Sequence, residues 1–439
     1  MGISSLFRKG QSARQSVIST RRSSAVIENL EDRTLMSTYY VATGGSNDAS
    51  GSIKAPLKTI QYAINKAKDG DTINVRGGDY RLSSGLRITK GLTIQGYGSE
   101  KVRIIAPTSD ANIENAVNTG EADNVRLRKL DISGGYYYAI KSEGGDRLLI
   151  DRCRVHDSGR DVIKLTPGTD RSIIQNTRIY NSGRRDPSNA EGIDAVNAND
   201  AILRDSTIYD TTTNGVYYKG GSRNTIIERN RITRTGHSAI LLGQSTDPEF
   251  FSDNNPNHYE SINGIVRNNV VWNVEGAGVG AWGALNARIY NNTLYNVAKT
   301  YFGGLLVQSE NDLASRNVSL RNNIVVVGGN RPILNIREGG LTGDFDSNYN
   351  LFSRINGSGS TVVDEVHGYN GGIAGWKAMG FDTRTLTGNP KLDAGRGYRL
   401  SSSSSAINRG ITLSAVTNDL DKQSRPLSGR TDIGADERA

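Results

Sequence analysis

The chain has 439 residues, with 53 Lys and Arg against 45 Asp and Glu, 51 Gly, 9 Pro and a single Cys. One cysteine excludes an intramolecular disulfide and a Cys-rich metal site, so an apolar core has to carry the stability, and the length is enough to bury one. The hydrophobic share is a modest 36%, and the formal net charge of +8 permits an anionic partner without choosing among nucleic acid, an acidic polymer and a membrane surface.

Residues 1–37 are rich in Ser and Arg and hold no apolar run of the length of a secretory h-region. No stretch of the chain approaches the roughly 18 apolar residues of a membrane span. The segment Leu30-Glu31-Asp32-Arg33-Thr34-Leu35-Met36 resembles the LEPR-XLL type N-terminal segment of exported bacterial surface proteins, with Asp32 where that pattern prefers Pro. The resemblance implies an export or sorting leader over 1–37 and an extracellular or cell-surface protein.

Next, apolar residues at Leu57, Ile60, Ala63, Ile64 and Ala67, opened by Pro56, predict an amphipathic helix over 56–67. The segments around it, Tyr40-Val41, Gly70-Asp71-Thr72-Ile73-Asn74-Val75 and Gly77-Gly78-Asp79-Tyr80, resemble the opening of the β-helix polysaccharide lyases and their relatives.

From 125 to 352 one pattern repeats: apolar-x-x-[small or Asn]-x-apolar, starting at Leu127, Ile150, Ile174, Leu203, Ile227, Val266, Ile289 and Leu320. The unit is 23 to 24 residues, and longer gaps hold inserted loops. Each unit carries period-two runs separated by Gly, Asn, Asp and Ser, with no helical stripe between them. That is too long for a hairpin and too short for a βαβ crossover. It suits one coil of an all-β, right-handed parallel β-helix, a pectate lyase-like solenoid over 38–352 whose open N-terminal end the helix would cap. Asn230, Asn269, Asn292 and Asn323 fall at the fourth position and predict an inward asparagine ladder. Residues 353–439 form the closing segment, since Gly388-Asn389-Pro390, Tyr398-Arg399-Leu400, Ala406-Ile407-Asn408-Arg409-Gly410 and Asp432-Ile433-Gly434-Ala435-Asp436-Glu437 resemble the tail of many secreted bacterial β-helix proteins.

The large insertions, Ser182 to Gly192 and Gln244 to Asn263, would wall a groove. Alternation with Ile193, Val216 and Ile240 pointing inward sends Asp194, Tyr217 and Lys219 outward onto one sheet face, with Trp282 further along. Rings that stack on pyranose and charges that take a uronate suit an acidic polysaccharide. Its natural reaction is β-elimination, in which a base removes the proton α to the carboxylate while positive charge neutralises the developing anion. Tyr218-Lys219-Gly220-Gly221-Ser222-Arg223-Asn224 resembles the lysine-bearing strand and turn of the chondroitinase B and alginate lyase family, which implies Lys219 as base. That family has an Arg-His pair on the next coil, where this chain has Leu241-Leu242-Gly243. Glu191-Gly192-Ile193-Asp194 resembles the acidic cluster of the calcium-dependent β-helix pectate lyases, which implies Ca²⁺ held by Glu191 and Asp194 with Asp161 as a third ligand. Arg184, Arg185 and His237 complete the candidate substrate contacts.

The expected function is therefore a secreted, monomeric lyase acting on a pectate- or alginate-type polymer. A non-catalytic glycan-binding solenoid, a C5-epimerase and a glycoside hydrolase using Asp161 and Asp194 stay open beside it. A nucleic-acid partner is not expected, because no binding module occurs and the basic residues are dispersed.

Overall fold

The apolar positions of the repeat stack coil on coil. Ile94, Leu127, Ile150, Ile174, Leu203, Ile227, Val266, Ile289 and Leu320 follow one another in direct register, and each is almost wholly buried. In this computed structural model, which describes residues 36–357, 359 and 361–438, short strands joined by turns build three long sheets of 15, 12 and 12 strands, parallel except for the antiparallel end strand Tyr369–Gly372. The leader expected over 1–37 lies outside the described residues up to position 35. One continuous apolar core fills the interior.

Helix α1 (Ile60–Lys66) lies at the N-terminal end and buries Ile60, Ala63 and Ile64. It is shorter than the apolar spacing implied. Thr59 is extended and caps it by accepting from Tyr62 N–H at 3.3 Å, and Leu57 bridges to Val41 as part of the sheet. At the far end a second short helix, α2 (Ile373–Ala378), buries Trp376, whose Nε1 donates to Asp382 at 2.9 Å. Strand pairing runs on beyond residue 352: Leu351–Arg354, Thr361–Asp364 and Leu386–Thr387 each extend a ladder. The closing segment thus supplies strands as well as the tail.

The asparagine ladder is present and longer than the four residues expected. Asn230, Asn269, Asn292 and Asn323 each donate a backbone N–H to the side-chain oxygen of the next rung, ending on Asn350, at 2.9 to 3.0 Å. Oxygens of Thr177, Ser206 and Asn230 continue it backwards, accepting from Cys153, Thr177 and Ser206. Each side-chain amide also donates to a carbonyl of the preceding coil, such as Asn269 to Ile227 O at 2.8 Å. The residue before each rung turns the chain at positive φ, including Asn268, Asn291 and Asn322. Those three point the other way and donate to Asn418, Asp432 and Ile411 carbonyls of the tail.

Asn269→Ala removes both an acceptor and a donor from a site with no water to replace them. The expected loss is about 2–4 kcal/mol of unfolding free energy in urea, since each stranded buried polar group costs about 1–3 kcal/mol; a loss within about 0.5 kcal/mol would show that the rung is dispensable.

Candidate active site

Coil stacking places one outward row along a 12-stranded sheet: Lys141, Lys164, Asp194, Tyr217 and Leu241 in direct register. Two residues further along each strand runs a second row in which Val196 pairs with Lys219. Gly243 and Trp282 continue it, since each follows a residue of the paired set Tyr218, Leu242 and Ala281. The outward placement of Asp194, Tyr217, Lys219 and Trp282 is as alternation requires. Their exposure is not what an open stripe would give: Asp194 and Tyr217 are 4% and 2% exposed.

Three carboxyls gather at the first row. Asp161 Oδ1 accepts from Glu191 N–H at 2.9 Å. Glu191 Oε1 accepts from Thr213 Oγ1 at 2.7 Å and Asn214 Nδ2 at 3.2 Å, while its Oε2 is buried without a partner. Asp194 Oδ2 accepts from Lys164 Nζ, and its Oδ1 is likewise buried and unpartnered. Burial, together with the charges of Asp194 and Glu191, pushes the Asp161 carboxyl well above the usual carboxylate range. Burial opposes the charge on Lys164, but Asp194 and Asp161 outweigh it and raise the amine. Burial and the same three acids hold the Tyr217 phenol protonated.

Two buried carboxylate oxygens are left without partners, but Asp161, Glu191 and Asp194 do not bring their oxygens within 4.8 Å of one another. Among the described residues, the carboxylates whose oxygens all lie within 4.8 Å of one another are Asp419, Asp421 and Asp436 in the tail. Those are committed elsewhere: Arg399 pairs with Asp421, and Asp419 and Asp436 accept backbone N–H groups.

Lys219 reaches the ring of Tyr217, the row neighbour of Asp194. Its Nζ lies 4.7 Å from the centre of the Tyr217 ring and donates to Ser245 O at 2.8 Å. The turn after it needs glycine: Gly220 and Gly221 have φ of +62° and +88°, and a Cβ on Gly220 would meet Val196 Cγ1 at 2.7 Å. Trp282 is half-buried and donates its Nε1 to Glu310 Oε2.

The remaining candidates sit around this centre. Arg185 packs its guanidinium 4.0 Å over the Tyr136 ring and donates to Tyr136 O at 3.0 Å, pinning the first inserted loop to the coil before it. Arg184 projects outward, with a long 3.8 Å approach to Asp157. His237 is exposed and meets Tyr301 edge-on at 5.4 Å, with no bond to the acid cluster.

Two residues of the site escape the sequence reading. Lys164 could have been found by aligning coils, because it shares the row of Asp194. Glu260 has no such signal. It is 1% exposed, its Oε2 accepts from Gly220 N–H at 2.8 Å and Thr246 Oγ1 at 2.7 Å, and its Oε1 has no partner. Burial pushes it up to about 7, against the opposing pull of Gly220 N–H, Thr246 and Lys219.

Residues 39–201 match the family model described as "Pel9A-like, right handed beta helix region". The structure is similar to the crystal structure of pectate lyase Pel9A, with a TM-score of 0.62 at 15% identity, covering 92% of this chain and 96% of that one. The fold is the right-handed parallel β-helix of the pectate lyases. Pectate lyase PEL9 of Emericella nidulans is 33% identical over 120 residues, 24% of this chain and 29% of that protein, so the chain spans less than a third of the curated relative it matches. Also similar are a rhamnogalacturonan lyase (TM-score 0.51, 14% identity, 75% and 90% of the two chains) and the A-module of the Azotobacter vinelandii mannuronan C-5 epimerase AlgE4 (0.51, 17%, 73% and 99%). At these identities the structural likeness is one of fold. The span matched by the family model contains Asp161, Lys164, Glu191 and Asp194 and ends before Lys219. Among the described residues no helix is long and apolar enough to cross a membrane.

Removing the ammonium from the acid cluster strands buried carboxylates. Lys164→Ala is expected to lower stability by about 3–5 kcal/mol in calcium-free urea titrations; a loss below about 1 kcal/mol would mean the pair is solvated. Glu260 gives a pH dependence. A carboxyl at about 7 in the fold, against an ordinary 4.5, binds its proton more tightly when folded. Its contribution is therefore fully present below about pH 4.5 and is lost as pH rises through about 7, on the order of 3 kcal/mol. Glu260→Gln is expected to flatten this part of the stability profile, and an unchanged slope would contradict the assignment.

Proposed function

We propose that the chain is a polysaccharide lyase that cleaves a uronate-containing polymer of the pectate or alginate type by β-elimination. The observation that carries this reading is Tyr217, which stands in register with Asp194 of the buried acid cluster and has Lys219 Nζ 4.7 Å from its ring centre. The family-model match over the acid-bearing coils supports it.

In this reading Lys219 is the base. Its Nζ takes the proton α to the uronate carboxylate, the released electron pair forms the carbon–carbon double bond, and the β C–O bond breaks with its oxygen taking up a proton from water. Asp161, Glu191 and Asp194 would hold Ca²⁺ only by drawing their oxygens closer together. When bound, the ion supplies positive charge to the substrate carboxylate, where negative charge grows during proton removal. Lys164 offsets the charge of its direct partner Asp194. In the same reading Arg184 and Trp282 would meet the polymer, Arg185 and Tyr217 would act from behind by fixing the wall and the lysine, and His237 would lie at the margin. The net charge of +8 favours a polyanionic substrate. A polymer too large to enter a cell places the enzyme outside it, secreted or on the surface.

A panel of pectate, alginate and chondroitin, followed by ultraviolet absorbance of unsaturated uronate, tests the reading. Wild type is expected to form unsaturated product from at least one of them, and Lys219→Ala to lose about 10²-fold or more in kcat. Unchanged product formation by that variant would remove Lys219 as base, and inversion at C5 without cleavage would make the protein an epimerase. A chelator is expected to abolish activity and added calcium to restore it. Calcium is also expected to raise Tm, by linkage worth about 2.7 kcal/mol at a hundredfold excess over Kd, and Asp194→Asn to lose that shift.

A further inference from the structure

Glu260 ends the second inserted loop and ties three coils together. Its Oε2 accepts from Gly220 N–H and Thr246 Oγ1, its backbone carbonyl accepts from Gly221 N–H at 2.9 Å, and its own N–H donates to Gly283 O at 2.8 Å. One residue thus holds both glycines that follow Lys219 and, one coil beyond Gly243, the glycine that follows Trp282. Between the two side chains the row has only Gly243, at φ +96°, where a Cβ would meet Trp282 O at 1.9 Å and Glu260 Cβ at 2.8 Å. Trp282 O and Glu260 Cβ therefore pack close against Gly243, and Glu260 braces the row between Lys219 and Trp282.

A turn could be braced more cheaply by a neutral amide. Here a carboxyl is buried with one oxygen left without a partner, and the charged groups facing it are Lys219 across the turn and Glu310, which also holds Trp282 Nε1. Both act on Glu260 through space: Lys219 favours its ionised form and Glu310 opposes it.

We propose that Glu260 is a positioning residue that locks the Gly220-Gly221 turn to the turn after Trp282, and so fixes how Lys219 projects from that turn. The hold depends on ionisation, because a carboxylate accepts a hydrogen bond more strongly than a carboxyl. The turn therefore tightens as pH rises through the midpoint of Glu260 near 7. The catalytic consequence rests on the lyase reading; the lock itself does not.

Amide resonances of Gly220 in the full chain, followed across neutral pH, decide it. The Gly220 proton is expected to move downfield with a midpoint near 7, to stay flat in Glu260→Gln, and to shift its midpoint upward in Lys219→Ala, where the ammonium no longer favours the carboxylate. On the cleaved polymer, Glu260→Gln is expected to lower kcat by roughly 10- to 100-fold with little change in KM, and to remove the limb near pH 7 from the rate profile. A Gly220 amide that does not titrate, or a variant with the wild-type pH profile, overturns the proposal. If wild type cleaves none of the polymers, the lyase reading fails while the amide titration still judges the lock. If the Gln variant does not fold, the wild-type and Lys219→Ala titrations decide alone.

Discussion

One repeated hydrogen bond organises the molecule: the side-chain oxygen of a turn residue accepts the backbone N–H of the equivalent residue one coil earlier. A turn between two sheets of a solenoid buries its backbone where no water reaches, and its polar groups need partners there. The ladder satisfies them and keeps each coil in step with the last. Every row depends on that step. If a coil slipped by one residue, Asp194 would leave the row of Lys164 and Tyr217, and its neighbours would change faces.

What the sequence disclosed is what the step makes periodic. The fourth position of the later units, Asn230, Asn269, Asn292 and Asn323, identified the ladder because an interior solenoid position repeats at a fixed interval, while the Thr177 and Ser206 rungs lack the amide that marks it. Alternation was enough to place Asp194, Tyr217 and Lys219 outward. Burial on that outward face was not legible, since it arises from loops inserted at irregular intervals and from neighbours one coil away. Glu260 belongs to this class because it lies in an insertion, whereas Lys164 shares the periodic row of Asp194 and is recoverable by aligning coils. Helix α1 was read too long for a related reason. The apolar spacing from Leu57 onward fits a helix, yet Leu57 is taken by a bridge to Val41, a contact that a local pattern cannot display.

The site joins two electrostatic zones built from adjacent rows. In one, carboxyls outnumber ammonium groups and leave oxygens unsatisfied; in the other, a lysine rests on an aromatic face with a buried glutamate behind its turn. A uniform surface of either sign would bind a polyanion poorly or without orientation. In the proposed reading, two unlike zones on neighbouring rows would give an extended uronate chain a preferred direction and register.

The Asn-Asn pairs carry a further mechanical consequence. A solenoid held only by neighbour contacts is a one-dimensional array that can fray coil by coil from its ends. In each pair at 268–269, 291–292 and 322–323, the second asparagine stitches adjacent coils, while the first catches a tail segment 89 to 150 residues away in sequence. The tail therefore acts as a batten nailed across several planks. Fraying of the last coils must first peel that batten away, so coils that would otherwise open singly are coupled into one cooperative block, and the C-terminal segment decides how abruptly the barrel end yields under heat or tension.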